Sequence, residues 1–173
     1  YIITTIRAGG DAGRLFDEKT CLAHGVLGQE TTGAGGFAMA IRSVPTLVYY
    51  CTLAREVSNP GHLIFNFTNP SGIITQALRS CGFANVYGIC DAPSGFIKQL
   101  EEILNVPYGA LDIECYGLNH LSWFRNAKLD GRDVQEELLN NPRTYQHSEM
   151  RLFTREMARL SGECMLNEYL YFY

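Results

Sequence analysis

From its first residue to about residue 104 the chain alternates short apolar, β-branched runs with helix-like segments, and this alternation limits the folds open to it. "YIITTI" reads as a buried strand, broken by the glycines of "RAGGDAGR". "LFDEKTCLAHGVLG" is weakly helical. "QETTGAGGFAMAIRSVPTLVYYCTLAREVSNPG" carries the strongest helical signal. Thr31 or Thr32 is placed to cap it, apolar positions recur from Phe37 to Val57, and Pro45 is expected to kink or split it. "HLIFNF" and "NVYGIC" read as two more strands, each followed by a turn, "TNPSG" or "DAPSG", and then by a helix. Strands separated by helices pair in parallel, so the expected class is α/β with a parallel sheet.

Beyond residue 104 the pattern changes. "LDIECYGLNHLSWFRNAKLDG" predicts one or two strands with a hairpin-like "LDGR" turn. Asp133 to Leu166 reads as mostly helical. The expected division is a Rossmann-like part over 1–104 and the start of an α+β domain over 105–173. Tyr1 lies inside an apolar run and Tyr173 inside an aromatic cluster, so both parts are expected to be incomplete.

The net charge of −4 offers no general attraction to nucleic acid or an anionic membrane. With 46% hydrophobic and 18% charged residues, the chain can form a core and does not read as disordered. No apolar run is expected to span a bilayer, and no signal-peptide pattern opens the chain. The six cysteines form no CxxC pair, which points to a reduced, cytoplasmic protein.

In open parallel sheets, ligands bind beyond the carboxyl ends of the strands. Two strands here end in chemically loaded loops, "FTNPSG" and "CDAPSG". A single cysteine is more often a small core residue, yet Cys90 is followed at once by Asp91, Pro93 and Gly95. A lone histidine is also more often structural. A Cys90 thiolate and the His120 imidazole of "GLNHLSW" could nevertheless hold a divalent transition metal with positions left open for substrate. Glu30 in "GQETTGAGG" reads equally well as a helix-cap carboxylate, and Arg7 and Arg14 flank "AGGDAG". "NEYLYFY" gathers Tyr169, Tyr171 and Tyr173. Alternation in a core strand would explain the spacing, and a phenol can also act as a base.

Taken together and in order, "GQETTGAGGFAMAIRSVP", "FNFTNPSGIITQAL", "GICDAPSGF", "GLNHLSWF" and "NEYLYFY" resemble glycoside hydrolase family 4. These are NAD- and metal-dependent glycosidases that include 6-phospho-α- and 6-phospho-β-glucosidases, and they depart from the usual two-carboxylate scheme. The resemblance implies a Rossmann-like NAD-binding domain, partial here and like that of lactate and malate dehydrogenases, followed by a substrate- and metal-binding domain. It implies Cys90 and His120 as ligands of a divalent metal, usually Mn²⁺. Asn69 would contact substrate and nicotinamide, while Arg14, Glu30 and Asn119 would serve the substrate pocket. Tyr169, with Tyr171 next, would be the base, and Asp91 the acid. In the implied reaction NAD⁺ takes hydride from sugar C3, the metal stabilises an enediolate, the tyrosine removes the C2 proton and the aglycone is eliminated.

No GxGxxG occurs in these residues, so the phosphate cradle for NAD is expected outside this sequence. Aspartate after the cysteine resembles the α-specific members, while "GQETTGAGGFAMAIRSVP" and "FNFTNPSG" resemble the β-specific ones. The implied substrate is a phosphorylated disaccharide or glucoside, with 6-phospho-β-glucosides favoured. A homodimer or homotetramer is implied as well. The competing reading is a hydroxy-acid dehydrogenase of the lactate or malate type, which needs no metal and leaves "CDAP" unexplained.

Overall fold

The computed structural model describes residues 1–167, 169 and 170. By internal packing the chain divides into two compact units, Tyr1–Cys90 and Asp91–Tyr173.

The first unit contains a parallel sheet of β1 (Ile2–Thr4), β2 (Ile64–Asn66) and β3 (Val86–Gly88) in that order, with Ile2 opposite Ile64 and Ile64 opposite Val86. Helices α1 (Gly10–Ala23) and α2 (Gly33–Val57) connect β1 to β2, and α3 (Ser71–Ser80) connects β2 to β3. Strands this short, joined by helices, obey the rule for parallel pairing. Ile64 and Val86 of the sheet, Leu47, Cys51 and Ala54 of α2, and Ile74 and Leu78 of α3 form one buried cluster.

α2 runs unbroken through Pro45, where the sequence suggested a kink or a split. Pro45 lies on the exposed side of the helix, where water can reach the carbonyl that proline leaves unbonded. Both halves are anchored through the opposite face, by Met39 and Ala40 before the proline and Leu47 and Cys51 after it. Thr32 occupies the N-cap position without a side-chain capping bond. By length and composition alone α2 is apolar enough to cross a membrane, which corrects the expectation that no segment is. Arg42 sits near its middle, however. It donates to both carboxylate oxygens of Asp17 on α1, one bond at 2.9 Å, and to the Ala8 carbonyl at 3.3 Å.

The second unit is built on an antiparallel sheet. β4 (Leu111–Leu118) and β5 (Leu121–Leu129) form a hairpin, while β6 (Arg132–Asp133) and β7 (Met165–Leu166) pair with β5. The expected one or two strands are thus two, and the turn between β5 and β6 is the expected "LDGR". Helix α4 (Ala92–Leu104) buries Phe96, Leu100 and Ile103 against this unit, with Phe96 edge-to-face on Phe124 at 4.8 Å. Glu101, also buried, accepts from the Gly109 and Leu111 N–H groups at 2.8 and 3.0 Å and so fixes the turn into β4. Three short helices, α5 (Gln135–Asn140), α6 (Thr144–His147) and α7 (Arg155–Leu160), with a 3₁₀ turn at Glu149–Leu152, complete the expected helical stretch.

Asp17 is almost fully buried and Arg42 about two-thirds so. Removing the guanidinium would strand a buried carboxylate. Arg42→Ala should therefore destabilise the protein by roughly 2 kcal/mol, and adding Asp17→Asn should recover part of the loss. Urea unfolding of the two variants measures both effects.

Candidate active site

In the first unit the chemistry gathers where β1 and β2 end. Asn66, the last residue of β2, has no exposed surface. Its side-chain oxygen accepts from the Thr4 hydroxyl at 2.9 Å, and its amide donates to the Thr68 carbonyl at 3.1 Å. Thr68 in turn accepts from the Ile6 N–H at 3.0 Å. A buried polar side chain with these partners fixes both loops, because any slip would leave a polar atom unbonded without water. The loops it fixes carry Arg7 and Asn69. Together with Thr5, Glu30, Met39 and Thr68, these line a cavity of about 290 Å³.

Glu30 enters this cavity from the loop before α2. A Cβ on Gly35 would lie 2.6 Å from the Gln29 carbonyl oxygen, and one on Gly36 2.9 Å from the Thr31 carbonyl carbon. Only glycine lets the start of α2 press against the loop that holds Glu30. Glu30 pairs with Arg7 and lies 3.7 Å from Arg14. Arg14 also donates to Glu18 at 2.7 Å, and this bond, aided by the charge of Glu30, raises its pKa and keeps it protonated. The structure thus groups Arg14, Glu30 and Asn69 and adds Arg7. Asn66, not singled out from the sequence, is the residue that organises them.

In the second unit the β4–β5 hairpin turns through Asn119 and His120, since Leu118 pairs directly with Leu121. His120 has φ of 125°, and its N–H bonds back to the Leu118 carbonyl at 2.6 Å. Two-residue hairpins normally place glycine or asparagine in such backbone. A histidine there costs roughly 1–3 kcal/mol, and strain of this size persists where the surroundings enforce it. Gly117 contributes to the enforcement. It has φ of 117°, and a Cβ there would lie 2.3 Å from the Leu121 carbonyl oxygen. The ring of Tyr169 stacks on the His120 imidazole, centroids 4.1 Å apart and planes within 17°. Asn119 and His120 line a cavity of about 170 Å³ with Cys115, Ser122 and Asn167.

Cys90 follows β3 and is half-buried, and the Ile89 N–H before it bonds to the Asn66 carbonyl at 2.9 Å. Asp91 is the N-cap of α4, yet its side chain makes no capping bond. Its carbonyl accepts from Gly95 N–H and the Ser94 hydroxyl instead, and the residue lines a separate cavity of about 430 Å³ with Lys98 and Tyr108. Among the described residues no three His, Cys, Asp or Glu side chains converge as a metal cluster. Tyr171, the second tyrosine considered as base, lies outside the described residues, as does Tyr173.

Two family models match the chain, family 4 glycosyl hydrolase over residues 1–106 and the family 4 glycosyl hydrolase C-terminal domain over 115–173. The chain belongs to glycosyl hydrolase family 4. A 6-phospho-beta-glucosidase of Thermotoga maritima is 39% identical over 142 residues, which are 82% of this chain and 34% of that protein. A crystal structure of the 6-phospho-beta glucosidase from Thermotoga maritima with manganese, NAD⁺ and glucose-6-phosphate matches with a TM-score of 0.87 and 35% identity, covering 100% of this chain and 41% of that one. A 6-phospho-alpha-glucosidase from gut microorganisms, in complex with NAD and glucose-6-phosphate, gives the same TM-score at 30% identity, again covering 100% and 41%. The chain therefore spans about a third of the curated relative and two-fifths of the solved ones. The α/β, Rossmann-like class expected from the sequence is the class of these family 4 structures.

If the left-handed backbone at His120 is strained, the substitution that relieves it is glycine. His120→Gly should be more stable than His120→Ala by about 1 kcal/mol, although both lose the ring over Tyr169. Glycine also loses more backbone entropy on folding, so a His120→Gly less stable than His120→Ala in urea unfolding would mean that the turn bears no strain.

Proposed function

We propose that this chain is part of an NAD- and divalent-metal-dependent 6-phospho-glucosidase, acting in the cytoplasm and preferring 6-phospho-β-glucosides. The observation that carries the reading is His120, buried at a strained hairpin tip with a tyrosine stacked on it. Backbone strain of this kind gathers at functional sites, and a phenol beside a metal ligand is where a base for the adjacent sugar carbon belongs. The relative crystallised with manganese, NAD⁺ and glucose-6-phosphate supports the choice of cofactors and substrate. A 6-phospho-alpha-glucosidase of equal structural similarity keeps the α-anomer as a second substrate. A homodimer or homotetramer is part of the same proposal.

Cys90 and His120 are the residues that would hold the metal. One thiolate and one imidazole suit a divalent transition ion and leave positions for substrate oxygens. When bound, NAD supplies a reversible hydride acceptor at sugar C3 and the metal ion supplies positive charge beside the C2 and C3 oxygens. The chain's own residues do the rest. Tyr169 takes the proton from C2, with Tyr171 the other candidate. Asp91, whose side chain is not spent on capping α4, gives a proton to the departing glycosidic oxygen. Asn69 orients the sugar and the nicotinamide. Glu30, held by Arg7 and Arg14, accepts from sugar hydroxyls, and Asn119 contacts the substrate beside His120. A dehydrogenase of the lactate or malate type is disfavoured by the family assignment.

The test is hydrolysis of p-nitrophenyl 6-phospho-β- and 6-phospho-α-glucosides by the full-length protein. Activity should vanish after chelation or removal of NAD and return with Mn²⁺ and NAD⁺, with the β-substrate faster. Cys90→Ser and His120→Ala should each lower kcat by about 100-fold or more. Stoichiometric accumulation of NADH in place of hydrolysis would favour the dehydrogenase reading.

A further inference from the structure

His120 does not hold its plane alone. The ring above it belongs to Tyr169, whose backbone is tied to Asn167. The Tyr169 N–H donates to the Asn167 side-chain oxygen at 3.0 Å. The Leu170 N–H donates to the Asn167 carbonyl, also at 3.0 Å. Asn167 has no exposed surface. Its own N–H donates to the carbonyl of Ser122, two residues after His120 on β5, at 3.1 Å. Its side-chain amide donates to Glu149 Oε2 at 3.0 Å. Glu149 is itself 7% exposed, and its N–H donates to Gln99 of α4 at 2.9 Å. One asparagine therefore ties the strand that leaves the hairpin tip, the segment that carries the stacked tyrosine and a buried carboxylate, and it lines the same cavity as His120.

We propose that Glu149 and Asn167 are positioning residues for His120. They seat the Tyr169 ring against the imidazole and so set the direction in which the ring nitrogen meets a metal ion. This rests on the reading of His120 as a metal ligand. A buried carboxylate is costly to keep unless its bonds have a task, and the amide of Asn167 gives this one a donor. Outer partners that orient a ligating histidine commonly change metal affinity by 10–100-fold when altered. Nothing in "NEYLYFY" or in the sequence around Glu149 marks the pair, because the two residues are 18 positions apart and meet only in the folded unit.

The test uses the full-length protein and Mn²⁺ alone, with free Mn²⁺ counted by electron paramagnetic resonance, so that it does not depend on turnover. Asn167→Asp keeps an acceptor for the Tyr169 N–H but turns an acceptor toward Glu149. It should weaken Mn²⁺ binding about tenfold, with NAD affinity unchanged. Adding Glu149→Gln restores a donor–acceptor pair with the roles exchanged, and affinity should return to within about threefold of the original. If Asn167→Asp does not fold, the ring decides. Tyr169→Phe should retain Mn²⁺ affinity, and Tyr169→Leu should lose about tenfold. Mn²⁺ binding unchanged in Asn167→Asp, or in Tyr169→Leu, while the unfolding midpoint falls, would overturn the proposal and leave the pair as core packing. His120→Ala separates the two levels of inference. If it binds Mn²⁺ as well as the unaltered protein, the metal reading itself is wrong and the positioning role falls with it.

Discussion

His120 must be kept in a backbone conformation that most side chains avoid, and much of the second unit serves to keep it there. The hairpin closes in two residues because Leu118 pairs with Leu121, so the chain cannot relax by lengthening the turn. Gly117 allows the strands to approach where a Cβ would strike the Leu121 carbonyl. β5 is held on one edge by β4 and on the other by β6 and β7, and its inward residues Phe124 and Ala127 are fully buried. A hairpin anchored this firmly can carry a strained residue at its tip, because the packing of the strands far outweighs roughly 1–3 kcal/mol at one residue. The stacked tyrosine then limits the remaining freedom, rotation of the imidazole.

The first unit solves a different problem with the same economy. A three-stranded parallel sheet has its loops at the carboxyl ends, and loops drift unless something inside ties them. Asn66 is that tie. One amide joins the end of β1, the loop after β2 and α3, since it also reaches Thr75 at 3.4 Å. Glu30 is fixed from the other side by glycine-only contacts at the start of α2 and by two arginines. The result is a cavity lined by a carboxylate that two arginines hold and by the carboxamide of Asn69 on a loop that Asn66 ties.

The alternation of strands and helices in the first hundred residues was plain in the sequence, because period and punctuation are local properties. The course of α2 through Pro45 was not, since it depends on which side of the helix faces water. The length of that helix as an apolar segment was also missed, because Pro45 invited a break. Cys90, His120, Asn69 and Glu30 could be picked out through motifs that resemble a family, and Asp91 likewise. Asn66 and Asn167 could not. In the sequence each is one more asparagine near a turn, and its importance comes from burial and from partners up to 62 residues away. The strain at His120 was equally hidden, because a hairpin tip one residue earlier would have placed it differently.

The central chemical claim is that the glycosidic bond is broken by elimination after loss of the C2 proton, and not by direct displacement at the anomeric carbon. Hydrolysis of a 6-phospho-β-glucoside by the full-length protein in D₂O, followed by mass spectrometry and proton NMR of the glucose 6-phosphate, tests it most directly. Removal of the C2 proton by a tyrosine open to exchange with solvent requires deuterium at C2 of the product. Product that keeps its original proton at C2, formed at an undiminished rate, would contradict the mechanism.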